Sequence, residues 1–370
     1  MSVTEYMYLR TAISYKGLNA RRLINKIFLA WRLGGKRRMS KKSYIRKKKG
    51  VKEQVSRIFL LAALVAVALI FQAVQPRFLM LNNVMNLLAL SSIIGVLALG
   101  NMMLMAAGEM SFSIGAQCTV IGAVFGKFLA GRTSNNMILA ILIGVAASVA
   151  IGLFLALCTV KIGVPTFVCT LAVATVVDGC SQLLNDGTTL YSKDWPSGFN
   201  MMQTRIGGIL PVAVVVFLVL AILMHILYEK TRFGRHLYAV GSNPTAANNS
   251  GISVPGMKVW AFVISSVFCG FAGMIAASYN NSVSLTMGAE LLMPAIAATM
   301  LSATFLQLGR YNVPGTVLAA ILMVVIQNGV ISAGYPIYVK DIVQGALLTV
   351  AVAIIAIIKE DGLPSVKLES

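Results

Sequence analysis

Asp178, Gln182 and Asn185, in the stretch "LAVATVVDGCSQLLND", follow one another at i, i+4 and i+7. That spacing puts all three on one face of a helix. On an otherwise apolar helix such a face serves either a hydrophilic pathway or hydrogen bonding between helices. The other acids in or beside apolar runs are Glu109 and Glu290. Both read as acids at helix ends in water, the alternative being the intramembrane carboxylate of an ion-coupled carrier. The two histidines, His225 and His236, form no His-Glu-x-x-His helix, and no metal-ligand cluster can be assembled around them. Residues 122–128, "GAVFGKF", are one residue short of a phosphate loop, lack Ser or Thr after Lys127 and lie in an apolar run. The five cysteines (Cys118, Cys158, Cys169, Cys180 and Cys269) also lie in apolar runs without a Cys-x-x-Cys pair, and they read as small hydrophobes between helices. No catalytic residue, metal, disulfide or cofactor is expected in the chain itself.

The elements that must position these groups are set by composition. The 370 residues are 58% hydrophobic and 12% charged, with mean hydropathy +0.82. A soluble domain is about 45–50% apolar and about 25% charged. Runs of roughly 20 apolar residues, enough to cross a ~30 Å hydrocarbon core, recur along the chain. They do not alternate as barrel strands would. The expected fold class is an all-α polytopic membrane protein of about ten transmembrane helices, at 57–75, 83–107, 111–130, 136–160, 163–185, 208–228, 257–279, 289–306, 313–333 and 338–358. Two breaks, "AAGEMSFSIGA" and "LSATFLQLGRYNVPG", interrupt matching places in two pseudo-repeated halves, roughly 57–185 and 208–358. Interrupted helices at corresponding places point to a central binding site.

The net charge of +19 is uneven: residues 1–57 hold 17 of the 31 Lys and Arg, against Glu5 and Glu53. Residues 1–56 therefore read as a basic tail, 57–358 as the transmembrane domain and 359–370 as a short C-terminal tail. Within the first tail, residues 18–33 place Leu23, Ile24, Ile27, Phe28 and Trp31 at helical spacing for an anionic membrane surface. Residues 36–52 are too charged to bury. Met39 offers an alternative start, and no cleavable signal is read. The basic tail lacks the folded domain or stacking aromatics of a nucleic-acid binder; positive segments stay on the cytoplasmic side. An even number of spans then places both termini and the loop at 229–256, with Lys230, Arg232 and Arg235, in the cytoplasm. The loop at 186–207, with Lys193 and Arg205 against Asp186 and Asp194, is external.

Inside the cytoplasmic loop, "GSNPTAANNSGI" carries helix punctuation. Ser242 or Asn243 can cap a helix start, Pro244 suits the first helical position and Gly251 the left-handed position after the end. Gly234 and Gly241 read as loosening the backbone ahead of it. The spacing predicts one short helix of small residues across the ends of the spans. Long ordered loops are usually functional, so a docking knob for a cytoplasmic partner is preferred to a plain connector.

The residues around this helix, "TRFGRHLYAVGSNPTAANNSGISV", resemble the cytoplasmic loop of ribose-type permeases of bacterial ABC importers. Thr231, Phe233, Gly234, Arg235, Tyr238, Ala239, Gly241, Asn243, Ala246, Ala247, Ser250, Gly251 and Ile252 match that family's pattern. The likeness continues at 164–174, 291–301 and 313–334, and covers roughly 70–358. It implies an inner-membrane permease with a second permease copy, a cytoplasmic ATPase subunit that uses the ATP, and an extracytoplasmic solute-binding protein. It also implies that Gly234, Arg235, Tyr238, Gly241, Asn243, Pro244, Ala246, Ala247, Ser250 and Gly251 form the loop that couples to the ATPase.

The departures fall elsewhere. At the first break the family's G-G-I-D-L-S-V-G is "AGEMSFSIG", which keeps Gly108, Ser111 and Gly115 and loses the aspartate. At the second, "SATFLQLGRYN" replaces most glycines of a Gly-rich pattern, and Asp178 stands where Arg is frequent. The candidate translocation path is therefore Glu109, Ser111, Asp178, Gln182, Asn185, Thr304 and Gln307. The expected cargo is a small polar solute, a sugar first and a nucleoside-like metabolite next. The alternatives are an ion-coupled secondary transporter and a membrane scaffold or receptor subunit that transports nothing.

Overall fold

The computed structural model describes residues 60–130, 136–191, 195, 198–306, 309–336, 338–346 and 348–349. The tail at 1–56 with its expected surface helix, Lys193, Asp194, Gln307 and the tail at 359–370 lie outside the described residues. The chain is an all-α polytopic membrane protein. Its helices are α1 (Leu60–Val74), α2 (Leu81–Ala106), α3 (Ile114–Ala130), α4 (Met137–Ala156), α5 (Thr166–Leu184), α6 (Val212–His225), α7 (Arg232–Ser242), α8 (Pro244–Asn249), α9 (Val254–Asn280), α10 (Met287–Ser302) and α11 (Val313–Ser332). Residues 338–346 are also helical. A π-helical turn extends α4 through Lys161, and another extends α6 through Lys230.

Among the described residues six helices are long and apolar enough to cross a membrane: α2, α4 and α6 with the turns that extend the last two, α5, α9 and α11. The expected spans at 57–75, 111–130 and 289–306 correspond to shorter apolar helices. Helix α2 is the centre of the bundle and touches α6, α9, α10 and α11. From Ser91 to Ala107 every residue is buried, as its all-round apolar surface requires. The serines and threonines that enter this interior mostly bond a carbonyl one turn back, as Ser91 Oγ does to Leu87 O at 2.6 Å. Close packing relies on small residues. A Cβ on Gly273 of α9 would stand 2.1 Å from the Cys118 carbonyl oxygen of α3, so the two helices approach backbone to backbone. Thr119 Oγ1 on α3 accepts from Gly288 N, one of the free amides at the start of α10, at 2.8 Å.

The long connection after α5 is pinned to the bundle end opposite α7 and α8. Its two-residue strands β1 (Arg205–Ile206) and β2 (Leu210–Pro211) pair antiparallel. Arg205 donates to Asn82 at 3.0 Å and to Asn86 at 3.1 Å, both on α2. Asp186 pairs with Lys127 at 2.7 Å.

Candidate functional site: the loop helices and the two breaks

The loop that reads as one short helix in the sequence is two helices. α7 buries Gly234, Leu237 and Val240, spaced three apart, against α2, α9 and the turn that ends α6. Its opposite side exposes Arg235, His236 and Tyr238. α8 follows after one extended residue, Asn243, whose Oδ1 accepts from Ala246 N at 3.0 Å. Of the two candidate caps, Asn243 is the one used, with Pro244 at the start of the helix. Gly251 takes the left-handed conformation, φ +82°. Ala247 is buried at 4% exposure, whereas Asn243, Pro244, Ala246, Asn248, Asn249, Ser250 and Gly251 are exposed. α8 is thus a small knob, seated on Ala247 and uncovered on its other sides.

Gly234 and Gly241 do not loosen the backbone. Both lie inside α7 at points of close approach. A Cβ on Gly234 would stand 1.7 Å from the Tyr228 carbonyl oxygen, and one on Gly241 would stand 2.1 Å from that of Ala106. The second contact joins α7 to the first break. There α2 ends in a left-handed glycine, Gly108 at φ +83°. Gly108 N bonds Met105 O at 3.1 Å and Glu109 N bonds Leu104 O at 3.0 Å, which satisfies the last carbonyls of the helix. The Gly108 position packs on Gly241 in turn.

The second break reaches the same loop. The Arg310 guanidinium lies 4.8 Å from the centroid of the Tyr238 ring on α7, within range of a cation–π contact. Glu229 Oε1, in the turn before α7, accepts from Val313 N at the start of α11 at 3.3 Å. Asn312 holds the break itself. Its Oδ1 accepts from Gly315 N at 2.8 Å, and its Nδ2 donates to Ser302 O and Phe305 O at 2.9 and 2.7 Å. One side chain therefore caps α11 and ties it to the end of α10. Burial pushes the neighbouring Tyr311 hydroxyl above its ordinary pKa.

The candidate path residues do not converge on one site within the chain. Glu109 is not an acid in water: its carboxylate takes the Lys258 ammonium on α9 and the Thr166 hydroxyl on α5. Ser111 is buried and joins Ser113, which accepts from Gln117 at 2.8 Å. Asp178 and Gln182 lie on the outer, exposed side of α5, while Asn185 is buried. The Asn185 side chain has no hydrogen-bond partner among the described residues. Thr304, in the turn after α10, is buried and bonds Leu301 O at 2.7 Å. Glu290 is exposed in the first turn of α10, as expected.

A cavity of ≈ 340 Å³ opens between α2, α9, α10 and α11 at the end opposite the loop, with Asn280, Glu290, Gln327 and Asn328 in its lining. Sequence reasoning singled out Glu290 but missed Asn280, Gln327, Asn328 and Asn312. The Asn-Val-Pro triplet, a cap followed by Pro, was the one local signal for Asn312. The cavity groups come from three helices, Asn280 from α9, Glu290 from α10 and the adjacent Gln327 and Asn328 from α11, and no local pattern links the three.

Comparisons with known proteins agree with the family resemblance. The family described as "Branched-chain amino acid transport system / permease component" matches residues 83–352. The autoinducer 2 import system permease protein LsrD of Enterobacter sp. (strain 638) is 30% identical over 297 residues, 79% of this chain and 90% of that protein. The ribose import permease protein RbsC of Bacillus subtilis (strain 168) is 29% identical, covering 77% of this chain and 88% of that protein. The galactose/methyl galactoside import permease protein MglC of Escherichia coli (strain K12) is 29% identical, covering 80% and 92%. No solved structure matches. With the family match spanning most of the chain and the ribose-type pattern intact in α7 and α8, the chain belongs to the permease components of ribose-type ABC importers.

Proposed function

We propose that the chain is the membrane-spanning subunit of an importer that moves a small polar solute, a sugar or related metabolite, into the cell. A separate cytoplasmic ATPase subunit docks on α8 and supplies the energy. The observation that carries this reading is the position of the α7–α8 pair. It is exposed along α8 and joined to both helix breaks, through Gly241 on Ala106 at the inner side of α7 and through Tyr238 beneath Arg310 at its exposed side. A partner that moves α8 therefore moves two places where the bundle is not continuous helix. Only a partner with different contacts in its two states shifts the permease between them.

The outer face of α5 supports a second permease copy. An ionised Asp facing hydrocarbon costs about 3 kcal/mol by insertion measurements, so Asp178 and Gln182 call for a polar neighbour or water. A second copy across α5 would enclose both beside a hydrophilic path, and the cavity at the end opposite the loop is where an extracytoplasmic binding protein would deliver solute. In this reading residues 57–358 are one permease domain of about ten spans in two halves, in the inner membrane, with both tails cytoplasmic. An ion-coupled carrier would use Asp178 or Glu109, and Glu109 is already held by Lys258 and Thr166, which weighs against that residue in such a role. Reconstitution in proteoliposomes with the ATPase and binding protein tests the proposal. Uptake is expected to require internal or external ATP on the ATPase side; uptake driven by a proton or sodium gradient without the ATPase overturns it.

A further inference from the structure

We propose that Glu109 is the junction through which displacement of the loop reaches α5, the helix that carries Asp178 and Gln182. Glu109 follows the left-handed Gly108 at the end of α2, and its amide is fixed on Leu104 O at 3.0 Å. Its backbone therefore moves with the segment that Gly241 of α7 presses upon. Its carboxylate joins two further elements. One oxygen takes the Lys258 ammonium and the other the Thr166 hydroxyl. Lys258 lies in the first turns of α9, just after α8 and the Ser253 cap, so a shift of α8 is delivered to it directly. Thr166 is the first residue of α5, so the far end of that rigid helix answers to the same carboxylate. The pair is largely enclosed, with side-chain exposures of 27% for Lys258 and 16% for Glu109. In such a place the loss of one partner leaves the other charge uncompensated. Among the described residues no other carboxylate pairs with Lys258. Glu109 is thus a positioning residue for transport and not a ligand of the solute.

The inference rests on the ATPase-driven reading above, and its test separates the two. The complex with ATPase and binding protein is reconstituted, and solute moved per ATP hydrolysed is measured. Glu109→Gln and Lys258→Met should each lower that ratio about tenfold, with ATPase co-purification unchanged. The double variant should be no worse than the worse single, and Lys258→Arg should retain the ratio. An unchanged ratio in the single variants, or losses that multiply in the double, overturns the junction. If a charge variant fails to assemble, Thr166→Val carries the test, since it removes one hydroxyl at nearly constant volume. A lowered ratio then supports the junction and an unchanged one overturns it. Failure of the importer reading itself would show in the unaltered protein, as uptake that needs no ATPase.

Discussion

Gly241 of α7 lies against Ala106 at the end of α2, so closely that a Cβ there would stand 2.1 Å from the Ala106 carbonyl oxygen. The obstacle is backbone, which cannot swing aside. Gly241→Ala is expected to destabilise the protein by about 1–3 kcal/mol through overpacking, read as a lower melting temperature in detergent. Gly251 is the control: its φ is +82° and nothing lies within 4 Å. Asn tolerates the left-handed region, so Gly251→Asn should melt near the unaltered protein. Equal losses at both positions would contradict the assignment of Gly241 to a steric contact.

Ala246 and Ala247 are neighbours with opposite surroundings, one exposed and the other at 4% exposure. Ala246→Trp should leave the melting temperature unchanged and abolish ATPase stimulation by solute-loaded binding protein. Ala247→Trp should cost about 1–3 kcal/mol of stability, because its side chain has no room to grow. The pair separates a docking surface from its internal support.

The Arg310–Tyr238 contact joins the second break to α7. A partly desolvated cation–π pair contributes about 1–2 kcal/mol. Arg310→Ala and Tyr238→Leu should each reduce uptake several-fold, with a double variant close to either single. A double-variant cycle on uptake rate with a coupling energy near zero would remove this contact from the transmission route.

Asp178 is exposed on α5. If it borders the path between two copies, Asp178→Ala shifts the half-saturating solute concentration or the preference among solutes while ATPase docking is unaffected. Unchanged transport, with weaker association of the two copies, would return the residue to hydrogen bonding between helices.

Much of the fold was legible because the bilayer dictates length. The expected spans at 83–107, 136–160, 163–185, 257–279 and 313–333 lie within a few residues of the observed helices. The helix of small residues in the loop was legible because Asn243, Pro244 and Gly251 have local jobs that local sequence reveals. α7 was not, since its glycines, read as flexibility, are there for contacts with Tyr228 and Ala106 that no local pattern encodes. The periodicity put Asp178, Gln182 and Asn185 on one face, but only Asp178 and Gln182 share an exposed side, and Asn185, just past the end of α5, is buried. Glu109 was misjudged as an acid in water because its partners, Lys258 and Thr166, are distant in sequence. Helix boundaries follow from composition; side-chain partners across helices follow from packing.

The most direct measurement of the central claim is nucleotide-dependent cross-linking from the exposed face of α8. Asn248→Cys, exposed in the knob, would be treated with a short bifunctional reagent in the assembled complex. Ser282→Cys at the opposite end serves as control. The account predicts a cross-link from position 248 to the ATPase subunit, with a yield that changes on ATP binding, and none from position 282. A cross-link to the ATPase from position 282, or an α8 that stays unreactive toward the ATPase while the complex transports, would contradict it.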